Sequence, residues 1–341
     1  MNIRIGKKIV GDNMPVFIIA EIGINHEGSF NRCKKLVVSA KKAGANAVKL
    51  QTNVPEKNYI KGSYSYKIFK KAFLNKEEIK KIFEFSKKLN LDIFSTSTDN
   101  ETVDFIDKLN PIAHKISSSS LTNIPLIENT AKKKKLVILS TGMANEKDIN
   151  NAINAVKKNR NQKIILMHCV SIYPTKTNNT NLRTIKWLKK KYNFLVGYSD
   201  HTKSNLPISL SIASGACIIE KHFTFDMKRK GFDHKISYDE KKFKEMINII
   251  RESEQALGSE EKVLSKEELL NSYKLQRVLV SKFDLKKGEK LSKKNLDIKR
   301  PLKSIKGIKP YLMNKLLGKK IKKNIKKDTS IKFNFIKKSE N

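Results

Sequence analysis

The chain has 341 residues, 39% of them hydrophobic, which is enough for one large domain and a small one. No apolar run approaches the ~18 residues that a membrane helix needs, and the N-terminus MNIRIGKKIVGD lacks the apolar stretch of a secretory signal. Three widely spaced cysteines fit neither a zinc site nor a disulfide framework. These features argue against a membrane-spanning or disulfide-stapled protein and predict a cytoplasmic one.

Charge is the most unusual feature of the composition. The chain has 71 basic and 33 acidic residues, a net charge of +38, and its last 72 residues carry 23 basic and 5 acidic residues, a net +18. Such a surface attracts anions and would suit a polyanion such as nucleic acid. Lysine far outnumbers arginine, however, and no basic stretch alternates with stacking aromatic residues. The composition therefore favours a lysine-rich solvated surface and an anionic substrate over specific nucleic-acid binding, which remains an alternative.

Eight short apolar segments have the pattern of β-strands. In chain order they are 17–24, 47–52, 92–98, 113–119, 136–142, 163–169, 194–200 and 217–225. Helix-forming segments separate most of them, among them 34–43, 76–89, 146–158 and 239–257. Alternating strands and helices predict a parallel sheet, and eight such units in about 250 residues have the size of a TIM barrel. An open doubly wound sheet is the alternative, but no G-x-G-x-x-G follows the first strand.

The pattern changes after Leu257. Residues 259–275 predict a linker with a polar helix, and short strand-like pieces separated by turns follow it. The predicted organisation is a barrel domain over 1–258, a linker over 259–275 and a small, mostly β domain over 276–341. A core of about 65 residues is marginal alone, so we expect the small domain to dock against another surface.

Polar side chains occupy the ends of nearly all predicted strands. The C-terminal strand ends form the active-site face of a TIM barrel, and an unpaired polar group in a core costs ~1–3 kcal/mol. We therefore expect these side chains to meet in one site. They are Glu21, Asn25, Lys49, Gln51, Thr96, Lys115, Ser118, Ser140, His168, Ser171, Ser199, His201, Glu220 and His222.

Two histidines end consecutive predicted strands, His201 in GYSDHT and His222 in EKHFT. Neighbouring strands lie about 5 Å apart, so the two imidazoles are close enough to hold one divalent cation and leave positions open for water and substrate. Asp200, Glu220 and Asp233 are candidates for further ligands or for partners of the ligands. The alternative is that each histidine is a hydrogen-bonded packing residue.

Ammonium and hydroxyl donors at the strand ends predict a surface that binds a phosphate or a carboxylate. They are Lys49, Thr96, Lys115, Ser118 and Ser140. Lys49 shares one face of its strand with Gln51. Glu21 ends the first strand, where a carboxylate can act as a general base or form a buried salt bridge with Lys49. The sequence leaves the roles of His26 and Glu27 open.

Several segments, taken in order, resemble the sialic acid synthase family, whose members make N-acetylneuraminate and related nonulosonic acids. The matching segments are IIAEIGINHEGS, AVKLQT, LSTGMA, HCVSIYPT, GYSDHT, EKHFT and GFDHKIS. The tail DLKKGEKLSKKNLDIKRP is similar to that family's C-terminal antifreeze-like (SAF) domain. The resemblance spans nearly the whole chain and implies a TIM barrel followed by a small, mostly β SAF domain.

The resemblance also implies an activity: condensation of phosphoenolpyruvate with an open-chain N-acylated amino sugar, such as N-acetylmannosamine, to give a nonulosonic acid and phosphate. It implies Mn²⁺ or Mg²⁺ as cofactor and a domain-swapped homodimer. Carried over by position, the metal would be held by His201 and His222. Phosphoenolpyruvate would be held by Lys49, Thr96, Lys115, Ser118, Ser140 and Ser199. The sugar would be contacted by Gln51, Tyr173, Glu220, Asp233 and the partner subunit's Arg300. The catalytic residues would be Glu21, Lys49 and Glu220.

The chain departs from the family pattern near the substrate. Its fourth strand ends in ISSSS where relatives often have Gly-Ser-Gly-Glu, and its third ends in STSTD where Ser-Thr-Pro-Phe is common. Ser171 stands where some relatives have Asn, and Leu302 where Gly is frequent. The sugar therefore stays open between N-acetylmannosamine and the diacetamido sugars of legionaminic or pseudaminic acid. Another enzyme, which would condense phosphoenolpyruvate with an aldose phosphate to give a 3-deoxy-ulosonic acid, remains the alternative.

Overall fold

The computed structural model describes residues 1–302 and 306–337, so residues 303–305 and 338–341 of the predicted small domain lie outside it. The chain divides into two compact units, Met1–Gly258 and Ser259–Asn341. None of the helices within the described ranges combines the length and the apolar character that a membrane span requires.

The first unit is a closed barrel in which every strand runs parallel to its neighbours. A hairpin of β1 (Asn2–Ile5) and β2 (Lys8–Gly11) precedes it. The barrel strands are β3 (Phe17–Gly23), β4 (Ala47–Thr52), β5 (Asp92–Ser97), β6 (His114–Ile116), β7 (Val137–Ser140), β8 (Ile164–Cys169), β9 (Leu195–Asp200) and β10 (Ile218–His222). The last strand closes the barrel on the first, with His222 opposite Glu21. The predicted TIM barrel is confirmed.

Helices follow the strands, and local sequence sets where many of them begin. They are α1 (Phe30–Ala43), α2 (Pro55–Asn58), α3 (Tyr64–Lys71), α4 (Lys76–Lys88), α5 (Asn100–Lys108), α6 (Ile124–Lys132), α7 (Glu146–Lys158), α8 (Arg183–Tyr192), α9 (Leu206–Ala213) and α10 (Glu240–Leu257). Ser29 and Asp239 cap α1 and α10 by accepting a backbone N–H. Asn75 forms a capping box with Glu78 at the start of α4. Because Ser29 caps it, α1 begins at Phe30, four residues before the start of the predicted helical segment 34–43.

Strand alternation sorts the side chains between two cores. Outward-facing residues such as Ile18, Val48 and Ile219 pack under the helices. Inward-facing residues such as Phe17, Ala47, Phe94, Ile165 and Ile218 fill the barrel. Towards the C-terminal ends, the inward positions become polar and stay buried; they include Glu21, Lys49, Thr96, Lys115, Ser140, Ser199 and Glu220.

His168 does not belong to this set, contrary to the expectation that it would line the site. It alternates with the inward-facing Met167 and Cys169 and so faces the helices. Its Nε2 lies 2.7 Å from the carbonyl oxygen of Thr180. His168 is therefore a hydrogen-bonded packing residue, the alternative that the sequence analysis held open for histidines.

The β1–β2 hairpin closes the N-terminal end of the barrel, which the sequence analysis did not predict. Ile5 and Val10 are buried there against the lowest inward-facing layer, which includes Phe17 and Phe94. The hairpin thus covers apolar side chains that would otherwise face water at the end opposite the polar strand ends.

The second unit begins with α11 (Lys266–Leu275) and contains an antiparallel pair, β11 (Val278–Ser281) and β12 (Leu296–Lys299). Further isolated bridges connect its short extended pieces. Its own apolar core consists of Leu279, Leu285, Leu291, Leu296, Ile308, Leu316, Ile321, Ile325, Ile331 and Ile336. Arg300 follows β12 directly and is exposed. The predicted small, mostly β domain is confirmed.

Replacing Ile5 by alanine is expected to lower the free energy of unfolding of the barrel by about 2–5 kcal/mol, because it leaves a cavity in the core. Ile9→Ala is the matched control on the same hairpin, since Ile9 is 48% exposed and Ile5 is 1% exposed. Its expected effect is within about 0.5 kcal/mol. Urea unfolding followed by fluorescence of the single tryptophan, Trp187, measures both variants. Equal losses would contradict the packing of the hairpin against the barrel.

Candidate active site

The C-terminal ends of the barrel strands open into a cavity of about 270 Å³. It is lined by Ile24, Gln51, Tyr64, Ser65, Ile68, Phe69, Tyr173, His222, Phe232 and Asp233. Four of these, Gln51, Tyr173, His222 and Asp233, are predicted site residues. A larger groove of about 530 Å³ lies on the outer surface between α1, α4 and the start of α10, but it holds none of the predicted site residues.

Below the cavity, a buried ammonium group lies between two buried carboxylates. The Nζ atom of Lys49 is 3.0 Å from Oε2 of Glu21 and 3.6 Å from Oε2 of Glu220. It also donates a hydrogen bond of 3.0 Å to Oγ1 of Thr96. The four side chains come from β3, β4, β5 and β10, so closure of the barrel is what brings them together. The predicted salt bridge between Glu21 and Lys49 is present.

The second oxygen of each carboxylate is held by a neighbour. Gln51 Nε2 donates a hydrogen bond of 2.8 Å to Glu21 Oε1, and Ser199 Oγ donates one of 2.9 Å to Glu220 Oε1. Within the described residues, the Oε2 atoms of both glutamates accept no hydrogen bond of good geometry. Both oxygens face the Lys49 ammonium and have room to accept a hydrogen bond from a bound ligand as well.

The two carboxylates differ in acidity because their surroundings differ. Burial raises the pKa of Glu21 to about 7, although Lys49 opposes the shift. Burial alone would also raise the pKa of Glu220, but Lys49 and Lys115 together lower it below its ordinary value. Burial would lower the pKa of Lys49, and the two carboxylates outweigh it and raise that pKa. Near pH 7 the cluster therefore combines a charged carboxylate with one that can gain or lose a proton, the usual arrangement for acid–base work.

A second buried lysine and several hydroxyl groups form the opposite side of the site. Lys115 donates hydrogen bonds to Ser140 Oγ and, at 3.3 Å, to the carbonyl oxygen of Ile116. Burial lowers its pKa. The hydroxyl of Ser118 lies 3.0 Å from Sγ of Cys169. Among the described residues, no carboxylate forms a salt bridge with Lys115, which suits an anionic ligand.

Gly142 shows how tightly this part of the site is built. A Cβ atom there would lie 2.5 Å from Ser171 Oγ and 2.8 Å from both Ser118 Oγ and Cys169 Sγ. Glycine therefore lets the backbone approach these three side chains, which would have to turn away from a larger residue. Cys169 was not among the predicted site residues. Its position two residues after the inward-facing Met167 was the sequence signal that could have revealed it.

His201 and His222 lie side by side at the edge of the cavity, with ring centroids 5.5 Å apart. Nδ1 of His201 lies 2.9 Å from the carbonyl oxygen of Val170. Because a carbonyl oxygen only accepts, Nδ1 carries the proton and Nε2 has the free lone pair. Nδ1 of His222 is buried and has no hydrogen-bond partner among the described residues. Burial lowers the pKa of both imidazoles, which are therefore neutral near pH 7.

The two histidines have the chemistry of metal ligands, since metal-binding imidazoles must be neutral. In the part of the chain that the structure describes, no group of three or more His, Cys, Asp or Glu side chains is arranged to hold a metal ion. A metal held by these two imidazoles would need water or substrate for its other ligands. The ring of Tyr173 packs beside both, with centroids 4.4 Å from His201 and 6.5 Å from His222.

The three acidic candidates near the histidines have different positions. Asp233 Oδ2 lies 3.6 Å from His222 Nδ1, and burial raises the pKa of Asp233 to about 6. Glu220 belongs to the cluster around Lys49. Asp200 faces away from the site and pairs with Lys221 at 2.6 Å. The expectation that Asp200 is a candidate ligand was wrong, because alternation along β9 puts it on the face opposite His201.

The residues after β3 tie down the loop that carries Asp233. Asn25 Nδ2 donates hydrogen bonds to Ser237 Oγ at 2.8 Å and to the carbonyl oxygen of Phe223 at 2.9 Å, while its Oδ1 accepts one of 3.0 Å from the backbone N–H of Asp233. Asn25 therefore positions this loop instead of facing the cavity. The loop is also held by Glu27, whose carboxylate lies 2.8 Å from Arg229 and 3.1 Å from His234.

Burial lowers the pKa of His26 to about 4. Its Nδ1 accepts a hydrogen bond of 3.2 Å from the backbone N–H of Gly28, so this histidine has a structural role in its own loop. The sequence analysis also missed Tyr64, Ser65, Ile68 and Phe69, which α3 brings to the cavity wall. In SYSYKIFKK, the i, i+4 spacing of Tyr64 and Ile68 was the signal for such a surface helix. Arg300 lies in the other unit.

Barrel closure, a buried lysine–carboxylate cluster and a neutral pair of histidines give this TIM barrel the acid–base groups of an enzyme. The NeuB family matches residues 36–262, and the SAF domain matches residues 276–337. The chain belongs to the NeuB family, which confirms the predicted family and the prediction that the protein is an enzyme.

Individual relatives are similar over nearly their whole length. N,N'-diacetyllegionaminic acid synthase of Campylobacter jejuni serotype O:2 is 39% identical, over 92% of this chain and 98% of its own. Pseudaminic acid synthase of the same organism is 36% identical, over 93% of this chain and 95% of its own. A crystal structure of N-acetylneuraminic acid (sialic acid) synthetase from Leptospira borgpetersenii, in complex with citrate, has a TM-score of 0.76 and 35% identity; the match covers 81% of this chain and 97% of that one.

Lys49→Met is expected to destabilise the folded protein by about 3–5 kcal/mol near pH 8, because it leaves two buried carboxylates without their cation. Both carboxyl groups should then have pKa values above those of the unfolded chain, so stability is lost as the pH rises through the folded values. The loss should therefore be smaller at pH 5. Urea unfolding at the two pH values tests this, with the exposed Lys80→Met as control. A loss that does not change with pH would contradict the charge cluster.

Proposed function

We propose that this protein condenses phosphoenolpyruvate with an open-chain N-acylated amino sugar and releases a nonulosonic acid and phosphate. The observation that carries the proposal is the position of two buried lysines and their hydroxyl neighbours beside two carboxylates of unequal acidity. A single substrate with a phosphate and a carboxylate would use both lysines, and an aldehyde-bearing sugar fits the adjoining cavity. The names of the relatives support the same class of reaction.

Phosphoenolpyruvate would lie in the polar floor of the site. Its two anionic groups would replace the hydrogen bonds that the ammonium and hydroxyl groups now make to one another. The residues proposed to hold it are Lys49, Thr96, Lys115, Ser118, Ser140 and Ser199. Both lysines are buried, so their attraction for an anion is much less screened than that of the many surface lysines.

The reaction needs two proton movements that a carboxyl group with a pKa near 7 can serve. The methylene carbon of phosphoenolpyruvate forms a bond to the aldehyde carbon of the sugar, whose oxygen takes up a proton. Water adds to the phosphate-bearing carbon and gives up one proton. The bond between that carbon and the phosphate oxygen then breaks, the new hydroxyl group becomes the product's carbonyl group, and its proton leaves with phosphate. Glu21 is the group we assign to hold the transferred proton. Glu220, which stays charged, would stabilise the positive charge that develops at that carbon before water adds.

A divalent cation, Mn²⁺ or Mg²⁺, is proposed to be held by His201 and His222. When bound, it would supply Lewis-acid polarisation of the sugar aldehyde. The protein's own contribution is to keep both imidazoles neutral, to leave Nε2 of His201 available, and to pack Tyr173 beside them.

The sugar is proposed to be contacted by Gln51, Tyr173, Glu220 and Asp233, and by the partner subunit's Arg300 in a domain-swapped homodimer. The cavity wall mixes polar and apolar side chains, and its apolar members are Ile24, Ile68, Phe69 and Phe232. A diacetamido trideoxy hexose carries a second acetamido group where N-acetylmannosamine has a hydroxyl group, and a methyl group where N-acetylmannosamine has a hydroxymethyl group. Burying each extra methyl or methylene group gains ~0.8 kcal/mol, so we propose the diacetamido class as the substrate.

Incubation with Mn²⁺, phosphoenolpyruvate and a panel of sugars tests the function. We expect phosphate release and a product with the mass of the condensed acid, with kcat/KM at least about 10-fold higher for a diacetamido trideoxy hexose than for N-acetylmannosamine. Preference for N-acetylmannosamine would contradict the proposed sugar class. Turnover only with an aldose phosphate would favour the 3-deoxy-ulosonic acid alternative, and no phosphate release with any sugar would overturn the function.

His222→Ala is expected to weaken Mn²⁺ binding at least about 100-fold, beyond the 10–100-fold typical for loss of a group that only orients a ligand. His168→Ala is the matched control, because His168 lies near the C-terminal end of barrel strand β8 but faces the helices. Calorimetric titration with Mn²⁺ compares them without any assay of turnover. Unchanged affinity in His222→Ala would remove this residue as a ligand.

A further inference from the structure

His201 lies one residue beyond the end of the sheet that should position it. The pairing of β9 with β10 ends at Asp200 and Lys221. His222 is still inside the sheet, where it pairs with Glu21 of β3. Sheet pairing therefore fixes one imidazole of the proposed metal site. His201 is held on the other side by Val170, which accepts from its ring, and by Thr175, which donates to its carbonyl oxygen, but the β9–β10 ladder does not reach it.

The last pair of the ladder carries a buried ion pair on the face opposite the histidines. Lys221 Nζ lies 2.6 Å from Asp200 Oδ2, and both side chains are fully buried. Tyr198 donates a hydrogen bond of 3.0 Å to Asp200 Oδ1, and the Lys221 ammonium lies 4.3 Å from the centre of the Tyr238 ring. A buried ion pair often adds no stability over apolar side chains of the same size. Stability alone therefore does not account for it.

The same two side chains hold the residue that follows His201. The carboxylate of Asp200 accepts hydrogen bonds from the backbone N–H of Thr202 at 3.1 Å and from its Oγ1 at 3.2 Å. Lys221 Nζ donates a hydrogen bond of 2.5 Å to the carbonyl oxygen of Thr202. The backbone on both sides of His201 is thus tied to β10, which carries His222. An apolar pair would fill the space but could not bind Thr202.

We propose that Asp200 and Lys221 are positioning residues, which continue the pairing of β9 and β10 past the end of the sheet and set His201 at its distance from His222. The pair does not face the cavity, so its effect on a ligand passes through the histidines. The consequence for metal affinity rests on the proposed function, whereas the consequence for the position of the His201 ring does not.

The double variant Asp200→Asn/Lys221→Met tests the proposal without leaving a buried charge. We expect its Kd for Mn²⁺ to rise about 10–100-fold. Ile5→Ala, at the opposite end of the barrel, controls for lost stability and is expected to bind Mn²⁺ as the wild type does. In the metal-free protein, the imidazole NMR resonances of His201 should shift in the double variant, while those of His114, which lies on β6 and bonds to Asp107, stay in place.

Thr202→Val provides a second test should the double variant not fold, because it leaves both charged side chains in place and removes the hydroxyl, which contacts Asp200 and the backbone of Ser204. It should shift the His201 resonances and raise the Kd in the same direction, by less. Unchanged His201 resonances in a folded variant, or an equal loss of affinity in Ile5→Ala, would overturn the proposal. If the wild type bound no Mn²⁺, the proposed metal site would be wrong, and the resonances alone would then decide whether the pair positions His201.

Discussion

The buried ammonium group of Lys49 is the interaction on which the arrangement of polar groups at the C-terminal end of the barrel depends. It lies inside the barrel, within 3.0 Å of Glu21 and 3.6 Å of Glu220, and bonds to Thr96. Removing such charges from water is costly, and only good geometry and further hydrogen bonds repay the cost. Gln51 and Ser199 supply those bonds, and the barrel supplies the geometry, because each group comes from a different strand. The unequal acidity of the two carboxylates follows from the same arrangement.

Because side chains alternate between the two faces of a strand, the barrel has one group of buried polar residues on its inward face and another on its outward face. On β9 and β10, the inward face carries Ser199, Glu220 and His222, while the outward face carries the Asp200–Lys221 pair. The inward group can contact a ligand in the cavity, and the outward pair cannot. A single sheet register therefore controls both, since a slip of one residue would exchange the two faces.

Sequence patterns were reliable where many independent signals agreed. Eight strand segments, each with polar residues at its end, were enough to predict the barrel and most of the residues that meet at its C-terminal end. His168 and Asp200 were wrongly placed in the site because both lie near the end of a strand, and the face of the strand that each side chain occupies was not considered. The β1–β2 hairpin was missed because its strands of four residues are too short for a periodic pattern. The contribution of α3 was missed because none of its residues is buried.

The sequence by itself determined the type of fold, the order of the strands and the chemical groups available at their ends, because these depend on local periodicity and residue type. Only the tertiary structure decided which groups share a face and how near they come. Glu21 and Glu220 are 199 positions apart in the chain, yet they contact the same lysine because β10 closes on β3. Their different pKa values depend on burial and on the charges contributed by other strands, which exist only once the barrel is closed.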